Sequence, residues 1–397
     1  MPLLKIEEPS APTQIRLTDH PLWRLGFRPF YLLAAALAAF AVPLWLARYF
    51  GYADWLPRVD MNWHMHEMLF GFAIAVIVGF LYTAARNWTG LWTPRRGHLA
   101  ALAALWLAGR AAMLLAPPLF AAFFDVLFLP FAAWPLYRVL KRAENKRNMF
   151  LPVLLVVLTL INIAFHCAVL GWLDLSPVSA VEAGILVVAC IESVIGGRVI
   201  PMFTTNAIGT KTVMHGGRDR INLALTAGAG LAWVFLPRSQ LVAALALAAA
   251  CSQLVRLAGW KPWLTWRTPL LWILHLSYAW IAFGFLLLSL SALKLSPPTA
   301  AFHALAVGSM GGLIIGMITR TALGHTGRPL KAGASETAMY FLIQAGVFAR
   351  LCAAFDVMGH RDGALLLAAA CWSAAFLLYL FVYVLYLFRP RLDGKDG

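Results

Sequence analysis

Long apolar segments joined by short polar connections make up almost the whole chain. About 20 apolar residues cross the hydrocarbon core of a bilayer as a helix, and twelve segments reach that length. They cover residues 28–50, 64–85, 98–116, 118–140, 149–172, 178–204, 221–237, 239–257, 268–291, 299–320, 335–355 and 362–388. The pattern predicts an all-α membrane protein with one transmembrane domain at 28–388, an N-terminal segment at 1–27 and a C-terminal tail at 389–397.

The basic residues predict which side of the membrane each connection occupies. With the N-terminus in the cytoplasm, 24 Lys and Arg fall in the cytoplasmic segments and 5 in the opposite loops. Cytoplasmic loops carry an excess of such residues, so both termini are expected in the cytoplasm. The formal net charge of +15 is therefore an orientation signal, and a nucleic-acid partner is not expected.

Composition agrees with a membrane protein and narrows its chemistry. The chain is 61% hydrophobic and 12% charged, which is typical of a protein surrounded by lipid. All five cysteines lie inside apolar segments and form no C-x-x-C pair, so neither disulfides nor thiolate metal sites are expected. No cleaved signal peptide is expected either, because no short apolar stretch with a cleavage site begins the chain.

Histidines stand at the boundaries of three apolar segments. His64 and His66, followed by Glu67, begin the second segment, and His303 begins the tenth. His166 lies near the end of the fifth segment, so the predicted orientation places all four histidines on the outer side. Ionisable groups within a membrane are costly and usually functional, which makes these residues candidates for a site.

The second and tenth segments resemble one another. When His66 is aligned with His303, seven positions are identical over 25 residues, including Gly71 with Gly308 and Gly90 with Gly327. The sixth segment offers a weaker third copy. Because these segments are four apart, the helices are expected to form three arcs of four with pseudo-threefold symmetry. Chance similarity between glycine-rich apolar segments is the alternative.

The repeat predicts a haem held by His66 and His303. Imidazoles from two facing helices can ligate haem iron at both axial positions. Arg110 and Arg350 lie inside apolar segments, where a cation needs a partner, and they are expected to meet the haem propionates. Ion pairs with Glu182 or Asp356 are the alternative for the arginines, and a helix-packing role is the alternative for the histidines.

A second metal site is expected at His64. Two residues correspond to about 200° around a helix, so one haem cannot use both His64 and His66. His64 is then free to bind copper, because imidazole and thioether groups suit that metal. The other candidate ligands are Met61, Met65, Glu67 and His166. Hydrogen bonding at the membrane interface is the alternative role of His64, and a buried hydrogen bond is that of His166.

Three stretches of the chain resemble the NnrS family. They are HMHEMLFGF at 64–72, GGRVIPMFTTNA at 196–207 and the long run from Phe302 to Leu330. The resemblance covers nearly all twelve segments. It implies a bacterial inner-membrane protein with haem b and copper that is linked to denitrification and to tolerance of nitric oxide.

A more distant similarity is to the catalytic subunit of haem–copper oxidases and nitric oxide reductases. That fold has twelve helices in three arcs, with a low-spin haem between helices 2 and 10. Its helix 10 carries a pair of histidines, and the first of them, which holds the high-spin haem, corresponds to Ala301 here. Its helices 6 and 7 supply histidines to copper, whereas residues 178–237 of this chain contain a single histidine, His215, in a loop. The similarity therefore implies the low-spin haem site without the usual dinuclear centre.

Three functions remain open from the sequence. The first is a haem protein acting on nitric oxide or on its iron–nitrosyl products, which includes a haem and copper oxidoreductase. The second is a quinol-linked electron-transfer protein. The third is a transporter with structural histidines, for which a helix break at Gly196–Gly197 to Pro201 is the expected signature.

Overall fold

The structure is a computed structural model that describes residues 17–213 and 216–395. Most of the expected N-terminal segment, residues 1–16, lies outside the described residues, as do His215 and the last two residues of the tail. The described chain is almost entirely helical, as an all-α membrane protein requires, because a helix satisfies every backbone hydrogen bond within itself.

Twelve long helices follow one another along the described residues. They are α1 (Phe27–Tyr49), α2 (Met61–Thr89), α3 (Arg96–Leu115), α4 (Pro118–Arg142), α5 (Phe150–Val169), α6 (Pro177–Ile208), α7 (Gly216–Phe235), α8 (Gln240–Gly259), α9 (Pro269–Ala292), α10 (Pro298–His325), α11 (Ala334–Ala354) and α12 (Arg361–Phe388). Short 3₁₀ turns lie at Leu17–Asp19, Pro21–Trp23, Lys146–Asn148, Pro262–Leu264 and Val357–Gly359. The helix positions match the twelve predicted segments to within a few residues.

Eleven of these helices are long and apolar enough to cross a membrane. The helix that falls short is α7, which is 20 residues long and carries Arg218, Asp219 and Arg220 near its start. Part of this polarity is compensated, because Arg256 Nε of α8 pairs with Asp219 Oδ1 at 2.8 Å. The expectation of a twelfth span at α7, and with it the N-in, C-in topology, stays a prediction.

The helices pack in chain order, and two of them lie deepest. Each helix contacts the next along the chain, and α12 returns to pack on α1. In α2 and α10, 78% of the most apolar window is buried, against 39% in α3 and α4. Contacts of α6 with both α2 and α10 bring these three helices together. The arrangement in three symmetric arcs stays a prediction.

Both buried helices change their winding at the same place. A π-helical stretch covers Glu67–Ala73 in α2 and Ala304–Gly311 in α10, so each begins directly after the histidine that the repeat aligns. A π turn contains an extra residue and is frequently found at functional sites. The helix tips Met61–His66 and Pro298–His303 are thereby rotated relative to the rest of their helices.

The far ends of the repeat also agree. Gly90 follows the end of α2 and has φ 70°, and Gly327 lies two residues after the end of α10 and has φ 75°. Both adopt the left-handed conformation that suits glycine. Gly209 ends α6 in the same way at φ 74°. The expected break in α6 is not found, since the helix runs through Gly196 and Pro201 without interruption.

Candidate functional site

Two groups of polar residues lie at one end of the bundle, where α2, α6, α10 and α12 begin. This end is called the histidine end. One group lines a cavity of about 180 Å³, called the histidine cavity, which is bounded by α1, α2, α6, α10, α11 and α12. The other, called the carboxylate–histidine cluster, consists of His66, Glu67, Arg110, Asp125, Asn162 and His166.

His64 reaches the histidine cavity from the first turn of α2. Asp60 caps this helix by accepting a 2.8 Å hydrogen bond from the backbone N–H of Trp63. The His64 ring stacks on Trp45 of α1, with ring centroids 4.2 Å apart. Its Nδ1 atom is buried without a hydrogen-bond partner in the described residues. The ring is therefore held in place by packing, and its polar atoms remain available to a ligand.

His303 enters the same cavity from the tip of α10. Its Nδ1 lies 2.7 Å from the backbone carbonyl oxygen of Thr299, one turn earlier in the helix. Because that oxygen can only accept, Nδ1 is the protonated nitrogen and Nε2 carries a free lone pair. A histidine whose other nitrogen donates to a backbone carbonyl is the usual form of a metal ligand.

The remaining lining of the histidine cavity is mostly apolar and contains two further charged residues. Met65, Met68 and Met310 contribute thioethers. Glu182 lines the cavity and accepts a 2.9 Å hydrogen bond from Trp233 Nε1. Arg350 also lines it and, among the described residues, has no hydrogen bond or ion pair. The guanidinium group of Arg350 therefore lies in the cavity with the two histidines and has no ion-pair partner among the described residues.

His66 points away from that cavity, into the carboxylate–histidine cluster. The residue is completely buried. Its Nδ1 lies 3.2 Å from Glu67 Oε1, and its Nε2 lies 3.0 Å from both Asp125 Oδ2 and Asn162 Oδ1. All three neighbours are oxygen atoms, so both ring nitrogens face acceptors.

Asp125 of α4 is the centre of the cluster. Its Oδ2 accepts a 2.7 Å hydrogen bond from Asn162 Nδ2 and lies 3.0 Å from Nε2 of both His66 and His166. Its Oδ1 is paired with Arg110 Nη2 of α3, and Arg110 Nη1 also binds Glu67 Oε1 at 2.6 Å. Four helices, α2 to α5, therefore meet through these side chains.

The donor atoms of His66, Asp125 and His166 lie within 4.8 Å of one another. Their residues are 0%, 3% and 6% exposed, so the group is closed to solvent. Two imidazoles and a carboxylate at such distances form a hydrogen-bonded network and are also a ligand set for a divalent metal.

A comparison with models of known protein families identifies the family of the chain. A family model described as NnrS protein matches residues 21–391, which is nearly the whole chain.

The chain belongs to the NnrS family.

No curated protein matches it. Membership of the NnrS family, together with many apolar helices, fits a multi-pass membrane protein of the nitric oxide response. The resemblance seen in the sequence is thereby confirmed.

The predicted site residues of this NnrS-family chain fall into the two groups. His64, His303 and Arg350 share the histidine cavity, whereas His66, Glu67, His166 and Arg110 belong to the cluster. The structure therefore does not bring His66 to the cavity that holds His303, nor His64 to the group that holds His166. The expected haem pair and the expected copper set are each divided between the groups.

The ion pairs predicted as the alternative for Arg110 are not the ones found. Neither Glu182 nor Asp356 pairs with it, because Glu67 and Asp125 take both ends of its guanidinium group. The contact of Arg110 with a haem propionate stays a prediction, although two carboxylates already pair with its guanidinium group.

Asp125 and Asn162 are the residues that the sequence interpretation missed. Asp125 stands alone in the run Phe123-Phe124-Asp125-Val126-Leu127 of α4, far along the chain from every histidine. A carboxylate inside a transmembrane segment is a functional candidate by itself, and that signal was available. Asn162 had no comparable signal, since an amide in a helix is common.

Proposed function

We propose that this NnrS-family protein binds haem b in the histidine cavity, with His64 and His303 as the axial ligands, and that it acts on nitric oxide or its iron–nitrosyl products. The observation that carries the proposal is that these two histidines, from helices far apart in the chain, line one apolar cavity. His64 replaces His66 in the pair predicted from the repeat, because both nitrogens of His66 already face oxygen atoms in the cluster.

The donor set fits a haem. His303 keeps Nε2 free through its hydrogen bond to Thr299, and the buried Nδ1 of His64 lacks a protein partner. Arg350 lines the same cavity without a carboxylate partner among the described residues, so it would meet a propionate. A haem with two histidine ligands supplies one-electron chemistry when it is bound.

The rest of the cavity suits nitric oxide as the small ligand. Nitric oxide is neutral and dissolves in apolar surroundings. Apart from the two histidines, Glu182 and Arg350, the lining is largely aliphatic, aromatic and thioether groups. These side chains surround the histidines with apolar atoms, and Trp45 stacks on the His64 ring.

Haem content and the absorption spectrum of purified protein test the assignment. Cells supplied with haem should yield a protein with a low-spin bis-histidine spectrum, and its reaction with nitric oxide under reducing conditions can be followed in the same cuvette. His64→Ala and His303→Ala should each lose the low-spin spectrum. His66→Ala should keep it. His360→Ala, at an exposed histidine of the same end, is the matched control.

Loss of the spectrum in His66→Ala with retention in His64→Ala would restore the original pair and overturn the assignment. A wild-type protein without haem would remove the haem proposal altogether. If the wild-type spectrum is insensitive to nitric oxide, the bound haem serves electron transfer alone, and the proposed action on nitric oxide fails.

A further inference from the structure

We propose that His66, Asp125 and His166 bind a divalent first-row transition metal in the carboxylate–histidine cluster, with Asn162 as a fourth donor. This site is distinct from the histidine cavity, and its existence does not depend on a bound haem. Three observations support it: the convergence of the donor atoms, the charge of the cluster and the way in which the ligands are held.

The donor atoms converge as ligands of one ion would. His66 Nε2 lies 3.0 Å from Asp125 Oδ2 and from Asn162 Oδ1, and His166 Nε2 lies 3.0 Å from the same Asp125 oxygen. Metal bonds to nitrogen and oxygen are roughly 2.0–2.2 Å long, so neighbouring ligands at right angles are about 3 Å apart. The two histidines approach from α2 and α5, and Asp125 approaches from α4 between them.

The charges of the cluster call for one more cation. Glu67 and Asp125 supply two carboxylates, whereas Arg110 supplies one guanidinium group. In a fully buried place within a membrane bundle, an uncompensated negative charge is costly. A neutral imidazole has a single N–H, yet both nitrogens of His66 face oxygen atoms. A second proton on His66 would make the cluster neutral, and a divalent ion would leave it with a single positive charge. The convergence of His166 and Asn162 on the same place favours the metal.

The proposed ligands are held by hydrogen bonds to neighbouring side chains, as metal ligands in proteins usually are. Nδ1 of His66 faces Glu67 Oε1, which lets the ring donate there and turn Nε2 toward the ion. Arg110 binds the carboxylates of both Glu67 and Asp125 and so fixes their positions. Gly71 leaves room for this arrangement, since a methyl group there would lie 2.8 Å from Glu67 Oε2 and 2.9 Å from Arg110 Nη1.

The donor types indicate the class of metal. Two imidazoles with carboxylate and amide oxygens suit divalent iron, copper, nickel or zinc. Mg²⁺ and Ca²⁺ prefer oxygen ligands alone, and Cu(I) prefers the thiolates and thioethers that this cluster lacks. The methionines lie instead on the histidine cavity, so the expected thioether copper site at His64 is not the one proposed here.

Metal content of the full-length protein purified in detergent tests the site. Wild type should carry about one non-haem metal per chain by mass spectrometry, with haem iron subtracted from its absorption. Asp125→Asn and His166→Asn keep the shape of the side chains and should lower the metal content at least tenfold while haem content is unchanged. His64→Ala should show the reverse pattern. His360→Ala should change neither.

A second measurement uses wild type alone and does not depend on how the variants fold. After treatment with a chelator, the protein should take up one added Cu²⁺ and give an electron paramagnetic resonance spectrum with nitrogen hyperfine splitting. Absence of non-haem metal both before and after this addition would overturn the proposal and leave a protonated His66 in its place. Equal metal content in wild type and Asp125→Asn would overturn it as well. If neither the wild type nor any variant contained haem while the wild type still bound the non-haem metal, only the haem proposal would be contradicted.

Discussion

At the histidine end, a separation of two residues along α2 decides which of the two polar groups each histidine joins. His64 and His66 differ by about 200° around α2, so one faces the cavity and the other faces the cluster. Their spacing predicted that a single haem could not use both of them. It could not tell which of them faces α10, because the π-helical stretch beginning at Glu67 changes the rotation of the tip relative to the rest of the helix.

Arg110 should be essential to the stability of the bundle. Replacing Arg110 by Ala leaves the buried carboxylates of Glu67 and Asp125 without their cation. Removing one partner of a buried pair costs about 3–5 kcal/mol, so the free energy of unfolding should fall by that amount. Denaturation of the purified protein by sodium dodecyl sulfate in mixed micelles measures it.

Arg361→Ala is the matched control for that measurement. Arg361 is exposed at the same end of the bundle, and its removal should change stability by less than about 0.5 kcal/mol. Equal stability of Arg110→Ala and Arg361→Ala would mean that the carboxylates of the cluster are neutral and that Arg110 does not balance them.

At the scale of the helices, much of the structure follows directly from sequence. Apolar length predicted the position of every long helix, because in a membrane a helix is the simplest way to satisfy the backbone. The identities between α2 and α10 were matched by a shared feature, since both helices begin a π-helical stretch directly after the aligned histidine. That feature itself was not predicted, since a π turn has no simple sequence signal.

Close packing of α10 on α9 depends on Gly308. A methyl group at Gly308 would lie 2.5 Å from Trp280 Cγ, and Trp280 is held in its position by a 2.8 Å hydrogen bond from its Nε1 to Gln344 Oε1. Gly308→Ala should therefore lower the free energy of unfolding by about 1–3 kcal/mol, the usual cost of overpacking. The same unfolding titration in detergent measures this.

Gly363→Ala provides the comparison within a helix. No atom lies within 4 Å of a methyl group placed at Gly363 in α12, so the change should be neutral or raise stability by up to about 1 kcal/mol. If Gly308→Ala were as stable as Gly363→Ala, α9 and α10 would not be in the close contact described.

Across the whole molecule, the membrane topology depends on whether α7 spans the bilayer. Eleven helices are apolar enough, and only an even number of spans returns the C-terminus to the side of the N-terminus. The charge bias between the two sets of loops predicts twelve. Charged residues at the start of α7 lower its hydropathy, although Arg256 compensates Asp219.

Chemical labelling of cysteines placed on either side of α7 tests whether this helix spans the membrane. Single cysteines placed at Lys211 and Arg238 should react with a membrane-impermeant reagent from opposite sides of the membrane. Labelling at Arg238 from the periplasm and at Lys211 only after permeabilisation is the expected result. Labelling of both from one side would show that α7 does not span, and it would place the termini on opposite sides.

The winding of α2 and α10 has a consequence for how the finished protein is assembled. Met61–His66 and Pro298–His303 are short tips, each separated from the main part of its helix by wide turns. Both tips are nevertheless packed, since Ala300, Ala301 and Phe302 belong to the main apolar core and His66 is held in the carboxylate–histidine cluster. We therefore expect the polypeptide to fix both tips as it folds, so that a prosthetic group added later would meet histidines that are already in position.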